Sequence, residues 1–256
     1  MSALFHANVA ENSMSTSIAE QSTAELGGRL SVLTRQRNDH IELDKLLNKL
    51  DQTHGPEQDQ VLLDIYRLVF PHAFAEESVL WPVMRRVLDD GQALTLEVEQ
   101  EHQEVNELVS RLEGMEHSDE QRAPVLARLI EVLREDVRDE EDELFPRLQR
   151  ALAMWQVQAL GLAWEVLRRT APTRAHPVVA RRPPGNVLAA VPLTILDRAR
   201  DALDYRALRT PGTKKASAIR SLSTALGHAA ARVERLPIMR QGEDPSTRLA
   251  GHSAGT

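Results

Sequence analysis

Residues 72–82 read HAFAEESVLWP and residues 136–146 read DVRDEEDELFP. Both fit one frame: histidine or aspartate, three residues, Glu-Glu, two residues, leucine, an aromatic residue and proline. A histidine precedes each run, His40 by 32 residues and His102 by 34 (72 less 40, 136 less 102). A repeat of this kind predicts two similar helical halves facing each other, which is a natural way to build a site for two metals.

Around the repeat, apolar residues recur at helical spacing from Leu26 onward. The first stripe runs Leu33, Gln36, His40, Leu43, Leu47, Leu50, and DQTHGPEQ then breaks it. The second carries Leu62, Ile65, Val69, His72, Glu76 and Leu80, with Pro71 and Pro82 expected to kink or interrupt it. A third, from about Ala93 to Glu113, turns Val98, His102, Val105, Val109 and Leu112 inward. The fourth places Leu126, Ile130, Leu133, Asp136 or Val137, Glu140 and Leu144 on one face before Pro146. Four helices with short connections predict an all-α fold, an antiparallel up-down four-helix bundle over residues 25–150.

Charge divides the chain. Up to residue 170 there are 17 Lys and Arg against 32 Asp and Glu, a balance of −15; residues 171–256 hold 14 against 6, a balance of +8. The acidic part suits cations and repels nucleic acid. Cysteine is absent, which excludes disulfides, thiolate metal sites and cysteine nucleophiles. No apolar run is long enough to span a membrane. The first residues, MSALFHANVAENSMSTS, lack the basic-then-apolar order of a secretory signal, so a cytoplasmic protein is expected.

A polar side chain in the apolar stripe of a bundle helix is costly unless satisfied. Here all four stripes are interrupted at comparable heights: by His40, by His72 with Glu76, by His102, and by Asp136 with Glu140. Spacing of four residues puts each pair on one face, a turn apart. Three imidazoles and three carboxylates converging in a dry interior need positive charge between them, and a pair of divalent metals supplies it. Imidazole with carboxylate suits iron, and also manganese or zinc. Glu77 and Glu141, one residue on, are read as hydrogen-bonding partners of the ligands or as solvated charges.

These residues resemble the hemerythrin-like family, the HHE cation-binding domain, over roughly residues 33–150. The likeness rests on His40 in mid-helix, the run from His72, His102 in mid-helix, and EExxLFP from Glu140. It implies a non-haem centre of two iron ions held by His40, His72, Glu76, His102 and Glu140. It further implies a small oxidant partner (oxygen, peroxide or nitric oxide) or an iron- or oxygen-sensing role. If the protein is an enzyme, the resemblance points to a di-iron oxidoreductase. Two positions depart from the pattern. The final helix of the family offers a histidine where this chain has Asp136, and oxygen carriers have a second histidine on the third helix where this chain has Asn106, which is read as a neighbour of the ligands. Asp136 could ligate and favour the ferric state, could leave its place to a water, or could cost the site one metal. The alternative function is thus a metal-free or mononuclear bundle serving as an interaction module.

The flanks complete the reading. Residues 1–24 are polar and expected to be flexible. Residues 151–170 predict a fifth helix packing Trp155 and Trp164 on the bundle. Residues 171–187 read as a Pro-rich linker, within which TAPTRAHP resembles the segment following this domain in bacterial relatives. Residues 188–240 read as basic amphipathic helices able to contact the bundle, a protein or an anionic membrane surface, with no nucleic-acid motif. Residues 241–256 read as a disordered tail.

Overall fold

The computed structural model describes residues 16–210 and 212–247, and every regular element among them is helical. Helix α1 (Val32–Leu50) opens at Ser31, whose hydroxyl accepts the Leu33 N–H, a capping bond that satisfies one of the first free donors. The helical spacing from Leu26 does not carry through to this cap, because Gly27 and Gly28 take φ of 92° and 86°, a left-handed backbone that a continuing helix excludes. Residues 16–24, expected to be loose, instead form a short 3-10 turn at Ile18–Glu20 with Ile18 fully buried. Residues 1–15 lie outside the described residues.

Helix α2 (Gly55–Ala75) passes through Pro71 without ending. The two repeats then do the same unusual thing. Glu76–Leu80 and Glu140–Leu144 are π turns, closed by Trp81 N–H to the Glu76 carbonyl and Phe145 N–H to the Glu140 carbonyl. Helices α3 (Trp81–Val87) and α6 (Phe145–Ala151) follow directly, each with its proline in the first turn. Proline has no N–H and crowds the carbonyl one turn back, so widening the turn just before it removes both conflicts. Helix α4 (Gly91–Glu113) and helix α5 (Arg122–Asp139) supply the second half. Helix α1 packs on α2 and α4 on α5, while α7 (Met154–Thr170) lies against α1 and α2. A Cβ on Gly161 of α7 would fall 2.0 Å from the Leu30 carbonyl oxygen, so only glycine lets α7 rest there.

The apolar interior is in two pieces. Leu43, Leu47, Ile65, Val105, Leu129 and Leu133 belong to one core; Leu33, Leu80, Trp81, Val98, Leu144 and Phe145 belong to the other. On every bundle helix the polar interruptions fall between the two. The site is a polar layer sandwiched between apolar layers.

The extension departs from expectation. Trp164 is fully buried on the bundle, but Trp155 is 69% exposed, because it sits on the opposite side of α7. The segment read as a linker is packed down: Thr173, Arg174, His176 and Arg181 are buried and bonded. It runs through bends and turns that polar side chains pin. Helices α8 (Gly185–Leu208) and α9 (Lys214–Glu234) pack on each other, and α8 reaches α2. Of the tail, residues 241–247 are described, and Thr247 is buried in a short 3-10 turn; residues 248–256 lie outside the described residues. No helix among the described residues is long and apolar enough to cross a membrane.

Candidate metal centre

Six side chains meet in the polar layer, from α1, α2, α4, α5 and the two π turns. His40 Nε2 stands 3.3 Å from His72 Nε2 and 3.2 Å from Glu140 Oε2. His72 Nε2 is 2.9 Å from Glu76 Oε1, whereas the other oxygen of Glu76 faces His102 Nε2 at 3.7 Å. Asp136 Oδ1 lies 3.6 Å from His102 Nε2. Two clusters with metal-ligand spacing result: His40, His72, Glu76 and Glu140 in one, His102, Asp136 and Glu140 in the other. Glu140 is common to both, and Glu76 touches a histidine of each.

The outer nitrogen of each imidazole is held by a further carboxylate. His40 Nδ1 meets Glu141 at 2.9 Å, His72 Nδ1 meets Asp39 at 3.2 Å, and His102 Nδ1 meets Glu77 at 3.0 Å. A carboxylate on Nδ1 fixes the ring and leaves Nε2 as the inward lone pair, the arrangement typical of metal-bound histidine. The pairing crosses between the repeats: Glu77 of the first serves His102, and Glu141 of the second serves His40. The π turn makes this reach available, because its wider winding changes the angle between successive glutamates.

Sequence reasoning missed Asp39 and Glu101. Each immediately precedes a mid-helix histidine, a signal visible as Asp-His at 39–40 and Glu-His at 101–102. In the first half Asp39 supports His72. Its counterpart Glu101 meets Asp136 instead, so a carboxyl faces a carboxyl, and burial with the nearby Asp139 charge drives Glu101 up to about 7. Burial and the neighbouring Glu140 likewise push Asp136 up.

Burial disfavours charged imidazoles, yet the surrounding carboxylates outweigh it. Glu140 and Glu141 raise His40 to about 9, Asp136 and Glu77 raise His102 to about 10, and Glu76 with Asp39 raises His72. Burial works against ionised Glu76, but the His72 imidazole holds it below the ordinary carboxylate range. Even so, both oxygens of Glu76, both of Glu140 and Oδ1 of Asp136 are buried without a well-aligned hydrogen-bond donor. Such oxygens are costly to bury unless a cation completes them. The donor set of imidazole nitrogen and carboxylate oxygen fits iron, manganese or zinc.

The surroundings shape access. Phe145 stacks on His40 at 6.2 Å and on Trp81 at 6.3 Å, which explains why the repeat keeps an aromatic at its end. Trp164 of α7 meets His72 edge-on at 5.4 Å, and Arg168 lies over Trp164 while pairing with Asp39 at 3.5 Å. On the other side a cavity of about 20 Å³ reaches His40, His72, His102 and Asp136, walled by Leu43, Val105 and other apolar residues. That is room for about one water-sized ligand. Asn106 borders it but serves the scaffold: it donates to the His102 carbonyl at 2.8 Å and accepts the His176 N–H at 2.8 Å. It clips the extension onto α4 one turn from His102.

Comparison with known proteins agrees with this geometry. A hemerythrin-like protein of Schizosaccharomyces pombe is 25% identical over 148 residues, covering 57% of this chain and 71% of that protein. A protein of Nostoc sp. named a DNA nickase is 28% identical over 123 residues, covering 48% of this chain. The match spans only 34% of the nickase's length. No solved structure gives a significant match. The family model of the hemerythrin HHE cation binding domain matches residues 31–148, the span that contains all six converging side chains.

Proposed function

We propose that His40, His72, Glu76, His102, Asp136 and Glu140 hold two iron ions, and that the centre takes a small oxidant (oxygen, peroxide or nitric oxide) into the adjoining cavity. The observation that carries this is the set of five buried carboxylate oxygens without well-aligned donors, gathered around three imidazole Nε2 atoms. Iron, when bound, supplies the redox change and the open coordination such ligands need. The chain does the rest. Asp39, Glu77 and Glu141 hold the three rings in place, Glu76 and Glu140 span both clusters, and the apolar cavity wall admits a small neutral ligand while restricting water. The balance of −15 over residues 1–170 repels a phosphate backbone, so the nickase activity named in one relative is not carried over.

The unequal halves favour a second reading, a mononuclear site. The His40 cluster offers four ligands with two imidazoles, whereas the His102 cluster offers three with one imidazole, and its Asp136 is drawn toward Glu101. Loading with ferrous iron, removal of excess metal and elemental analysis separate the cases. About two irons per chain, with oxo-bridge absorption in the near ultraviolet, is the result expected on the di-iron reading. About one iron means the mononuclear site, and no retained metal overturns both.

A further inference from the structure

The six acids and fourteen bases of residues 171–256 are not mixed on the surface. Asp197, Asp201 and Glu234 are buried, Asp204 pairs with Arg174, Glu243 with Arg240 and Asp244 with Arg182. The exposed charges of α8 and α9 are then all basic: Arg198 and Arg206 on α8 with Arg209 at its C-terminal cap, and residues such as Lys214, Lys215 and Arg220 on α9. The outward stripe of α8 has a definite order. In steps of three and four residues it passes exposed Val187, Val191 and Ile195, then Arg198, Ala202, Arg206 and, at the helix's C-terminal cap, Arg209. One face of a helix therefore carries aliphatics for its first half and arginines for its second.

Helix α7 repeats the order with Trp155, Leu162 and Val166 exposed at 69%, 53% and 63%, followed by exposed Arg169. Its one acid, Glu165, is drawn in by Arg35, Arg168 and Arg169. The basic end of one stripe adjoins the other: Arg198 donates to the Arg169 carbonyl and Thr194 to the Thr170 carbonyl, each at 2.7 Å. None of the exposed aliphatics lines the cavity beside His40 or the one beside His176.

We propose that the outward faces of α7 and α8 dock on an anionic phospholipid surface. Exposed aliphatics followed on the same face by arginines, without an exposed acid, match an interface that is apolar below and negative at its headgroups. Trp155, amphipathic and mostly exposed, suits the boundary between the two. The charge division of the chain, −15 up to residue 170 and +8 beyond it, orients the basic side toward such a surface while the acidic bundle faces away. Nucleic acid would match the arginines but leave Val187, Val191 and Ile195 without purpose.

The tryptophans provide the test, since Trp81 and Trp164 are fully buried and only Trp155 can respond to a surface. The full chain is titrated with phosphatidylglycerol vesicles and, separately, with phosphatidylcholine vesicles. The expected result is a blue shift of Trp155 emission and co-sedimentation with the anionic vesicles alone, weakening as salt rises. Arg206→Gln combined with Arg209→Gln lowers partitioning about thirty-fold. Val191→Asp combined with Ile195→Asp abolishes the blue shift while leaving helical content and thermal unfolding unchanged, because both sites are exposed. No response to anionic vesicles, equal binding to both lipids, or insensitivity to both double variants overturns the proposal. So does burial of Trp155 by concentration-dependent self-association without vesicles.

Discussion

Two knots of buried charge flank α4, and they differ in how they are balanced. In the extension, Arg174 donates to Glu113, Asp201 and Asp204 at 2.7–2.9 Å, and His176 sits between Asp197 and Glu234 at 3.0 and 3.3 Å. Backbone N–H groups of Thr173 and Arg174 add to Asp197. In the bundle, Glu76, Glu140 and Asp136 face imidazole Nε2 atoms, with no guanidinium or ammonium within salt-bridge distance among the described residues. One knot carries its own cations and holds two parts of the chain together. The other has only imidazoles to face its acids, groups that can exchange their protons for a metal ion. Buried acids mark a binding site only where the counter-charge is missing.

The sharpest way to break this contrast is to remove the carboxylate common to both metal clusters. Glu140→Ala is expected to abolish metal retention, from about two ions to fewer than about 0.5 per chain, whereas His102→Ala should retain the ion of the His40 cluster. Elemental analysis after gel filtration reads both. Equal loss in the two variants would mean that the clusters do not bind separately.

In the extension the corresponding change acts on stability alone. Arg174→Ala leaves Glu113, Asp201 and Asp204 without their shared partner, and breaking a buried ion pair in this way costs about 3–5 kcal/mol. Urea unfolding measures it. Added iron should not restore the loss, and metal stoichiometry should be unchanged. A variant that loses metal along with stability would show that the two knots are coupled through the clip at Asn106.

Much of this was legible in the sequence, for a reason that also sets the limit. Helical periodicity reports which residues share a face, so His40, His72, Glu76, His102 and Glu140 stand out as polar breaks in apolar stripes. The same periodicity assumes a uniform turn. It therefore misses the π turns, and with them the rotation that brings Glu77 to His102 and Glu141 to His40. Asp39 and Glu101 escape for a different reason: an acid beside an inward residue reads as solvent-facing unless the neighbouring helix is known. The extension failed more fully. Arg174 and His176 lie between prolines in a run with no periodicity, and nothing local shows that their partners are up to 70 residues earlier and 58 later (176 less 106, 234 less 176).

The smallest expected effect separates the knots by pH. His176 is buried, and although burial works against its charge, Asp197 and Glu234 raise it to about 9 from an ordinary 6.5. A group whose folded value is raised stabilises the fold fully below its unfolded value and loses that contribution as pH rises through the folded one. The window is therefore about pH 6.5 to 9, and the full swing is about 3 kcal/mol. His40 and His102 have the same sense of shift, so the comparison is made on iron-loaded protein, where ligation removes their titration. Urea unfolding at pH 6, 7.5 and 9.5 should show stability falling across the window in the parent chain. In His176→Asn the slope should flatten, with the parent and variant converging above pH 9. An unchanged slope in the variant would place the titration in the metal knot and deny the extension its own charge balance.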